Sequence, residues 1–277
     1  MELIQAKKQK VWGWPGVVNF TLGGMASGFY LLGSLSMVLR DGMVGLSQPA
    51  GFKLVAPALI GLGFLALTTE AGHPLRARYL LRYLRRSWMS RETLAGALFV
   101  PAAVLDWLFP HPALWGLAAA AALGLMLSHG FIVYRVRGVT AWNVPLVPVL
   151  FLSSGFFTGG GLVLLAALRG SALRVGQVVI GLICVLLDLA VWLLFLNGSR
   201  DPTFREATGS LRRPKSLFFI VGIGHLLPAL SLLLLLVLPG VGPWRVFAAL
   251  AGLAIVAGGV GQKASVILEA GYLRGLA

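Results

Sequence analysis

Apolar stretches of 18 residues or more recur along the whole chain, separated by short polar connections. Each is long enough to cross a hydrocarbon core of roughly 30 Å as a helix. The pattern predicts eight spans, at about 14–39, 52–71, 92–109, 113–134, 144–168, 174–197, 215–238 and 243–268. Helices are expected rather than a barrel, because lipid-exposed backbone must satisfy its own hydrogen bonds and no alternating ten-residue segments occur. Some connections are only a few residues long, such as "FPHP" at 109–112 and "LPGVGPW" at 238–244. The expectation is one all-α polytopic membrane domain over residues 1–277. The run after the basic opening "MELIQAKKQK" is too long for a signal peptide and lacks a small-residue cleavage site, so it is expected to stay as the first span. "NFTLGGMASG" in the first half has no counterpart in the second, which weighs against an inverted-repeat transporter.

Composition sharpens this picture. The chain is 58% hydrophobic and 12% charged, about half the charge of a soluble domain. Its net charge of +14 sits in the connections between spans. There it sets topology, touches anionic lipid or docks a partner, and it does not signal nucleic-acid binding. Cys184 is the only cysteine and lies in an apolar span, so neither a disulfide within the chain nor a cysteine-ligated iron–sulfur or zinc centre is expected.

Eight spans put both termini on one face. Of the 23 Lys and Arg, 18 fall on that face and five (Arg40, Lys53, Arg169, Arg174 and Arg245) on the other. The positive-inside rule then places both termini in the cytoplasm, here of a prokaryotic inner membrane. Six arginines lie in one connection, "EAGHPLRARYLLRYLRRSWMSRE" (70–92), with a glutamate at each end. On a helix, Arg78, Arg82, Arg85 and Arg86 share one side, and Leu80, Tyr83 and Leu84 the other. That is the pattern of an interfacial helix, suited to lipid headgroups and to docking a water-soluble subunit through these residues and Arg76.

Polar residues within the spans are the first places to look for chemistry. Glu70 ends the second span and Glu92 begins the third, which brings both carboxylates to one membrane depth. The plain reading of Glu92 is a helix-start residue with Ser90 as cap. Asn19 lies one to two turns into the first span, and its amide must find a partner or ligand in lipid. Gly24 and Gly28 after it form a small-xxx-small packing face. His129 is on the same side of the fourth span. Asp188 and His225 lie near the middle of adjacent spans, as an ion pair or a step of a proton path. Gln262 and Lys263 sit nearer the cytoplasmic end of the last span, where a lysine can snorkel. Three chemistries fit: a quinone slot with hydrogen-bond donors and a proton-accepting carboxylate, a proton-coupled transporter using Asp188 and His225, or haem held by His129 and His225.

Four stretches narrow the choice. "WGWPGVVNFTLGGMASG" (12–28), "HPLRARYLL…SWMSRETLAG" (73–96), "YRVRGVTAWNVPLVPVLFLSSGF" (134–156) and "KASVILEAGYLRG" (263–275) resemble the NrfD/PsrC/DmsC superfamily of membrane anchors for molybdenum enzymes. The Ser-Arg-Glu and Ala-Trp-Asn-x-Pro runs are similar to the dimethyl-sulfoxide-reductase branch, and Trp-Gly-Trp-Pro to the polysulfide branch. The resemblance implies eight helices in two four-helix bundles, no haem or metal in this chain, and one site for a quinone (menaquinone or ubiquinone) among the first four. It also implies an iron–sulfur subunit and a molybdopterin catalytic subunit as partners.

Carried over by position, Glu92 matches the family's functional glutamate and Asn19 a quinone-contacting asparagine. Glu70 stands where dimethyl-sulfoxide-type anchors carry a histidine, with His73 three residues on, so Glu70 is the substitute expected to handle protons. The helix-four aromatic of polysulfide-type anchors has no clear match, and His129 is the nearest residue. Arg91 adjoins Glu92 and is expected either at the quinone or at the partner. In many relatives the catalytic partner is outside the cytoplasm, so the charge asymmetry leaves two readings. Either the partner sits in the cytoplasm, as in sulfite-oxidising relatives and as expected here, or the arginines hold the partner and override the rule.

Overall fold

The computed structural model describes residues 7–10, 12–38, 52–69, 79, 81–170, 173, 175–238 and 243–272. Glu70, His73, Arg76 and Arg78 therefore lie outside the described residues. The described chain is all-helical, with no strand beyond one antiparallel bridge between Lys8 and Tyr272. The helices are α1 (Trp14–Val38), α2 (Phe52–Thr68), α3 (Trp88–Leu108), α4 (Pro112–Tyr134), α5 (Leu146–Ala167), α6 (Val175–Leu196), a short α7 (Pro202–Ala207), α8 (Pro214–Val237) and α9 (Trp244–Glu269). Five of them, α4, α5, α6, α8 and α9, are long and apolar enough to cross a membrane. Helices α1 and α3 have comparable lengths, 25 and 21 residues. They dilute their apolar runs with Asn19 and five glycines or with Arg91, Glu92 and Asp106.

Helix α1 packs on α2, α2 on α3, α3 on α4, and α4 back on α1. Helix α5 packs on α6, α6 on α8, α8 on α9, and α9 back on α5. The two groups meet chiefly where α1 lies against α5. Glycines make that approach possible. A side chain at Gly28 would enter the backbone of Gly155, and one at Gly159 would enter that of Gly28. The apolar burial follows helical period: α3 buries Ser90, Glu92, Ala95, Gly96, Phe99, Ala102, Ala103 and Asp106. On α6 and α8 the outer faces keep Ile183, Leu187, Leu194 and Leu230 about half exposed or more, as suits helices bordered by lipid rather than water.

Local sequence explains the irregular places. Helix α3 starts at Trp88, earlier than the predicted 92, because the Ser87 hydroxyl accepts from the Ser90 amide as N-cap. Glu92 is thus in the second turn and is not a helix-start residue. In the arginine-rich connection, residues 81–83 form a tight 3-10 turn where an interfacial α-helix was expected. The amides of Arg86 and Ser87 both bond the Tyr83 carbonyl, and the Arg91 guanidinium takes the carbonyls of Leu84 (2.9 Å) and Arg85 (3.1 Å). Those bonds fold the chain back onto the start of α3. In α8, Phe218–Leu226 is a widened π-helical stretch that ends just before Pro228. Proline has no amide to bond back and its ring crowds the preceding turn.

One end of the molecule is closed by a polar-surfaced cap. The Gln9 amide bonds the Gly271 carbonyl at 2.8 Å, and the Trp142 indole bonds the Val266 carbonyl at 2.8 Å. Trp142, Trp192, Phe195, Phe204 and Leu211 form its buried interior. Arg82, Arg85, Arg86, Arg135, Arg137 and Arg205 are exposed at this end, against Glu206 and Glu269 as exposed acids among the described residues.

Candidate functional site

Helices α1 and α3 start, and α4 finishes, at this basic end. Asn19, Glu92 and His129 therefore come to one level although 73 and 37 residues separate them from Glu92 in the sequence. The Asn19 amide donates to Glu92 Oε1 at 2.6 Å, and His129 Nε2 lies 3.1 Å from the same oxygen. All three side chains are buried, at 2%, 3% and 1% exposure. With Glu92 ionised and the proton on Nε2, both neighbours donate to Oε1. A carboxylate this deep needs such charge-assisted partners.

The second half of the carboxylate is open. Among the described residues nothing donates to Glu92 Oε2, and His129 Nδ1 and Asn19 Oδ1 have no hydrogen-bond partner either. Gly23 seats the imidazole, since a Cβ there would stand 2.5 Å from His129 Cε1. Gly63 of α2 does the same for Asn19, whose Oδ1 would be 3.0 Å from a Cβ. Phe20 meets the His129 ring edge-on, with centroids 5.2 Å apart. Three hydrogen-bonding atoms of this trio are thus left without a protein partner among the described residues. That arrangement can bind a carbonyl- or hydroxyl-bearing ring and exchange a proton with it.

The structure joins three of the sequence-predicted residues and separates a fourth. Arg91 points away from Glu92. Its guanidinium stacks over Trp88 at 4.1 Å and ties down the arginine-rich connection. Trp88 in turn stacks on Phe131 of α4, with centroids 4.2 Å apart and rings 9° from parallel.

Asp188 and His225 do meet, in a second and more crowded cluster. His225 Nε2 is 3.1 Å from Asp188 Oδ2, the Gln262 amide donates to Oδ2 at 3.0 Å, and the Ser153 hydroxyl donates to Oδ1 at 2.6 Å. His225 Nδ1 reaches the Ile220 carbonyl at 2.7 Å, a bond made available by the widened stretch of α8. Phe157 stacks flat on the imidazole, 4.6 Å away. Both ring nitrogens of His225 are engaged, so it offers none to a haem iron. Next to this cluster the Lys263 ammonium donates to Ser154 Oγ at 2.6 Å, and the lysine is buried rather than snorkelling.

One buried acid escaped the sequence reading. Asp106, near the end of α3, accepts from the Tyr30 hydroxyl of α1 at 3.1 Å. It lies 14 residues after Glu92 on the same buried face of α3, about 21 Å along the axis. A carboxylate inside a predicted span was the available signal.

Apolar helices of membrane-crossing length, with a half-satisfied carboxylate held among three of their neighbours, define a polytopic helical membrane protein with an internal polar site. The chain belongs to the DMSO reductase anchor subunit (DmsC) family, whose model matches residues 9–199, more than half of the chain. The match takes in Asn19, Glu92, His129 and Asp188, and stops short of His225, Gln262 and Lys263. No curated protein matches the chain.

Proposed function

We propose that this chain is the quinone-reactive membrane anchor of a molybdenum or tungsten oxidoreductase acting on a small sulfur or oxo compound. The observation that carries the reading is Glu92, fixed through one oxygen by Asn19 and His129 and left open at the other. Family membership supports the partners: an iron–sulfur subunit and a molybdopterin catalytic subunit. The donor set fits a quinone, since Asn19, Glu92 and His129 would hold its ring oxygens. A bound quinone would supply two-electron, two-proton redox chemistry. The chain's own part is to orient the ring, exclude water and carry protons at Glu92 Oε2, with His129 sharing its charge. Glu70 and His73 belong to the same proposed site by position in the sequence.

On this reading α1, α2 and α3 cross the membrane with the other five long helices, making eight spans in two four-helix bundles within one domain. The Lys8–Tyr272 bridge supports an even number of crossings, because it brings the two described ends together. Both termini and the basic cap face the cytoplasm. There Arg82, Arg85 and Arg86, with Arg76 and Arg78, receive the iron–sulfur subunit, and Arg91 braces that surface from beneath. Asp188 and His225 line a proton path.

Replacing Glu92 with Gln tests the reading. The complex should assemble while quinone-linked turnover falls by two orders of magnitude or more, a typical loss for a proton-transferring group. Turnover at the parent rate would remove Glu92 from the mechanism.

A further inference from the structure

The cluster on α5, α6, α8 and α9 contains one group more than its hydrogen bonds require. The Ile220 carbonyl can only accept, so His225 Nδ1 carries a proton. The 3.1 Å contact between His225 Nε2 and Asp188 Oδ2 needs a proton as well, on one atom or the other. Either way the two residues together sum to zero charge. Ser153 and Gln262 then fill the rest of the carboxylate. Asp188 and His225 are locked by their partners, and a proton cannot leave them without breaking the lock.

Unfilled valences remain one step away. Lys263 is 3% exposed, and among the described residues Ser154 is its only hydrogen-bond partner, leaving two N–H groups over. Gln262 Oε1 is buried with no donor. The charge of nearby Asp188 is already balanced by His225. A net charge left in an apolar interior is costly, and losing a proton removes it.

We infer that Lys263 is the proton-exchanging group of this second cluster, with Asp188 and His225 as its fixed electrostatic frame. The inference refines the proton-path part of the proposed function and does not depend on what the Glu92 site binds. In the step, one Nζ–H bond breaks and the proton passes to water, leaving a neutral amine. The Ser154 hydroxyl, which accepts from the ammonium, then turns to donate to the Nζ lone pair. A hydroxyl serves both states without moving its oxygen. The ionisable groups of the cluster beside Lys263 are Asp188 on α6 and its partner His225 on α8. Glu92 and His129 lie beyond α1, where a Cβ added at Gly24 would stand 3.8 Å from the ammonium and Gly23 seats His129.

The full chain holds six lysines: Lys7, Lys8, Lys10, Lys53, Lys215 and Lys263. Carbon-13 labelling of lysine Cε, with the other five replaced by arginine, leaves one resonance to follow by NMR in nanodiscs. The expected result is a one-proton titration of that resonance, with a midpoint displaced by Asp188→Asn and by Ser154→Ala and unmoved by Glu92→Gln. A resonance that stays at the ammonium position over the range where the parent chain's other five amines deprotonate overturns the inference. So does a midpoint indifferent to both D188N and S154A. No quinone enters the measurement, so its failure leaves the Glu92 reading standing, and normal turnover of E92Q would leave Lys263 standing.

Discussion

Asn19 and Glu92 share a buried hydrogen bond of 2.6 Å across 73 residues of sequence. It fastens the second turn of α1 to the second turn of α3, two helices that each pack on α2 and on α4. The bond holds a carboxylate oxygen in place and leaves its twin for something else.

Removing that donor should cost both stability and function. Asn19→Leu keeps the volume but leaves Glu92 with His129 alone. Losing a hydrogen bond to a buried charged group costs about 1.5–3 kcal/mol. The expected outcome is a lower thermal midpoint in detergent together with weaker binding of a quinol analogue. An unchanged midpoint would mean that the bond contributes nothing to the fold.

Gly23 offers a finer probe. A methyl group there would stand 2.5 Å from His129 Cε1, too close for the imidazole to keep its place. Overpacking of this kind costs about 1–3 kcal/mol. Gly23→Ala should therefore push Nε2 off Glu92 and lower quinol oxidation or quinone reduction more than Thr21→Ala, which alters the same helix without touching His129. Equal rates for the two variants would show that the imidazole position does not matter.

The residues that meet at Glu92 were all visible in the sequence as polar interruptions of apolar spans. What the sequence withheld was which of them meet. Arg91 adjoins Glu92 in the chain, yet successive helical residues point about 100° apart, and the guanidinium is drawn to Trp88 and to the carbonyls of Leu84 and Arg85. Similarly, Ser90 was the expected cap, but Ser87 holds that place because the helix begins with Trp88, whose ring finds Phe131 on α4. The lock on Asp188 was illegible for a different reason. It depends on the Ile220 carbonyl, freed by a π-helical stretch for which hydropathy has no signature. Asp106 was passed over although its span was expected. The glycine face of Gly24 and Gly28 was readable, while its partners Gly155 and Gly159 were not distinguished from the glycines around them.

Asp188 should behave as a structural acid. Its two oxygens take contacts from Ser153, His225 and Gln262, from three different helices. Breaking a buried pair by removing one partner costs about 3–5 kcal/mol. Asp188→Asn should thus lower the thermal midpoint more than Glu92→Gln, whose parent carboxylate has one oxygen free. The reverse order in paired melting curves would assign the structural role to Glu92.

The exposed arginines should act on the partner rather than on the fold. Arg82, Arg85 and Arg86 are exposed, and exposed charges contribute little to stability. Replacing all three with Gln should leave the melting curve unchanged. Co-purification of the iron–sulfur subunit should fall, and the parent complex should lose that subunit at high salt as screening grows. Retention of the subunit by the triple variant would move the docking surface elsewhere on the cap.

The proposed cytoplasmic orientation of the basic end rests on its charge and can be read with one reagent. Cys184 is the sole cysteine and is buried, so a membrane-impermeant maleimide has little background to report. Phe109 ends α3 at the far side from Glu92 and is 67% exposed, while Arg85 is exposed beside the start of that helix. In intact cells Phe109→Cys should label and Arg85→Cys should not. In inside-out vesicles the pattern should reverse, because short loops rich in Lys and Arg stay in the cytoplasm. Labelling of Arg85→Cys from outside would put the docking arginines and the Glu92 site on the outer face. The basic cap would then have to be explained by its partner rather than by insertion.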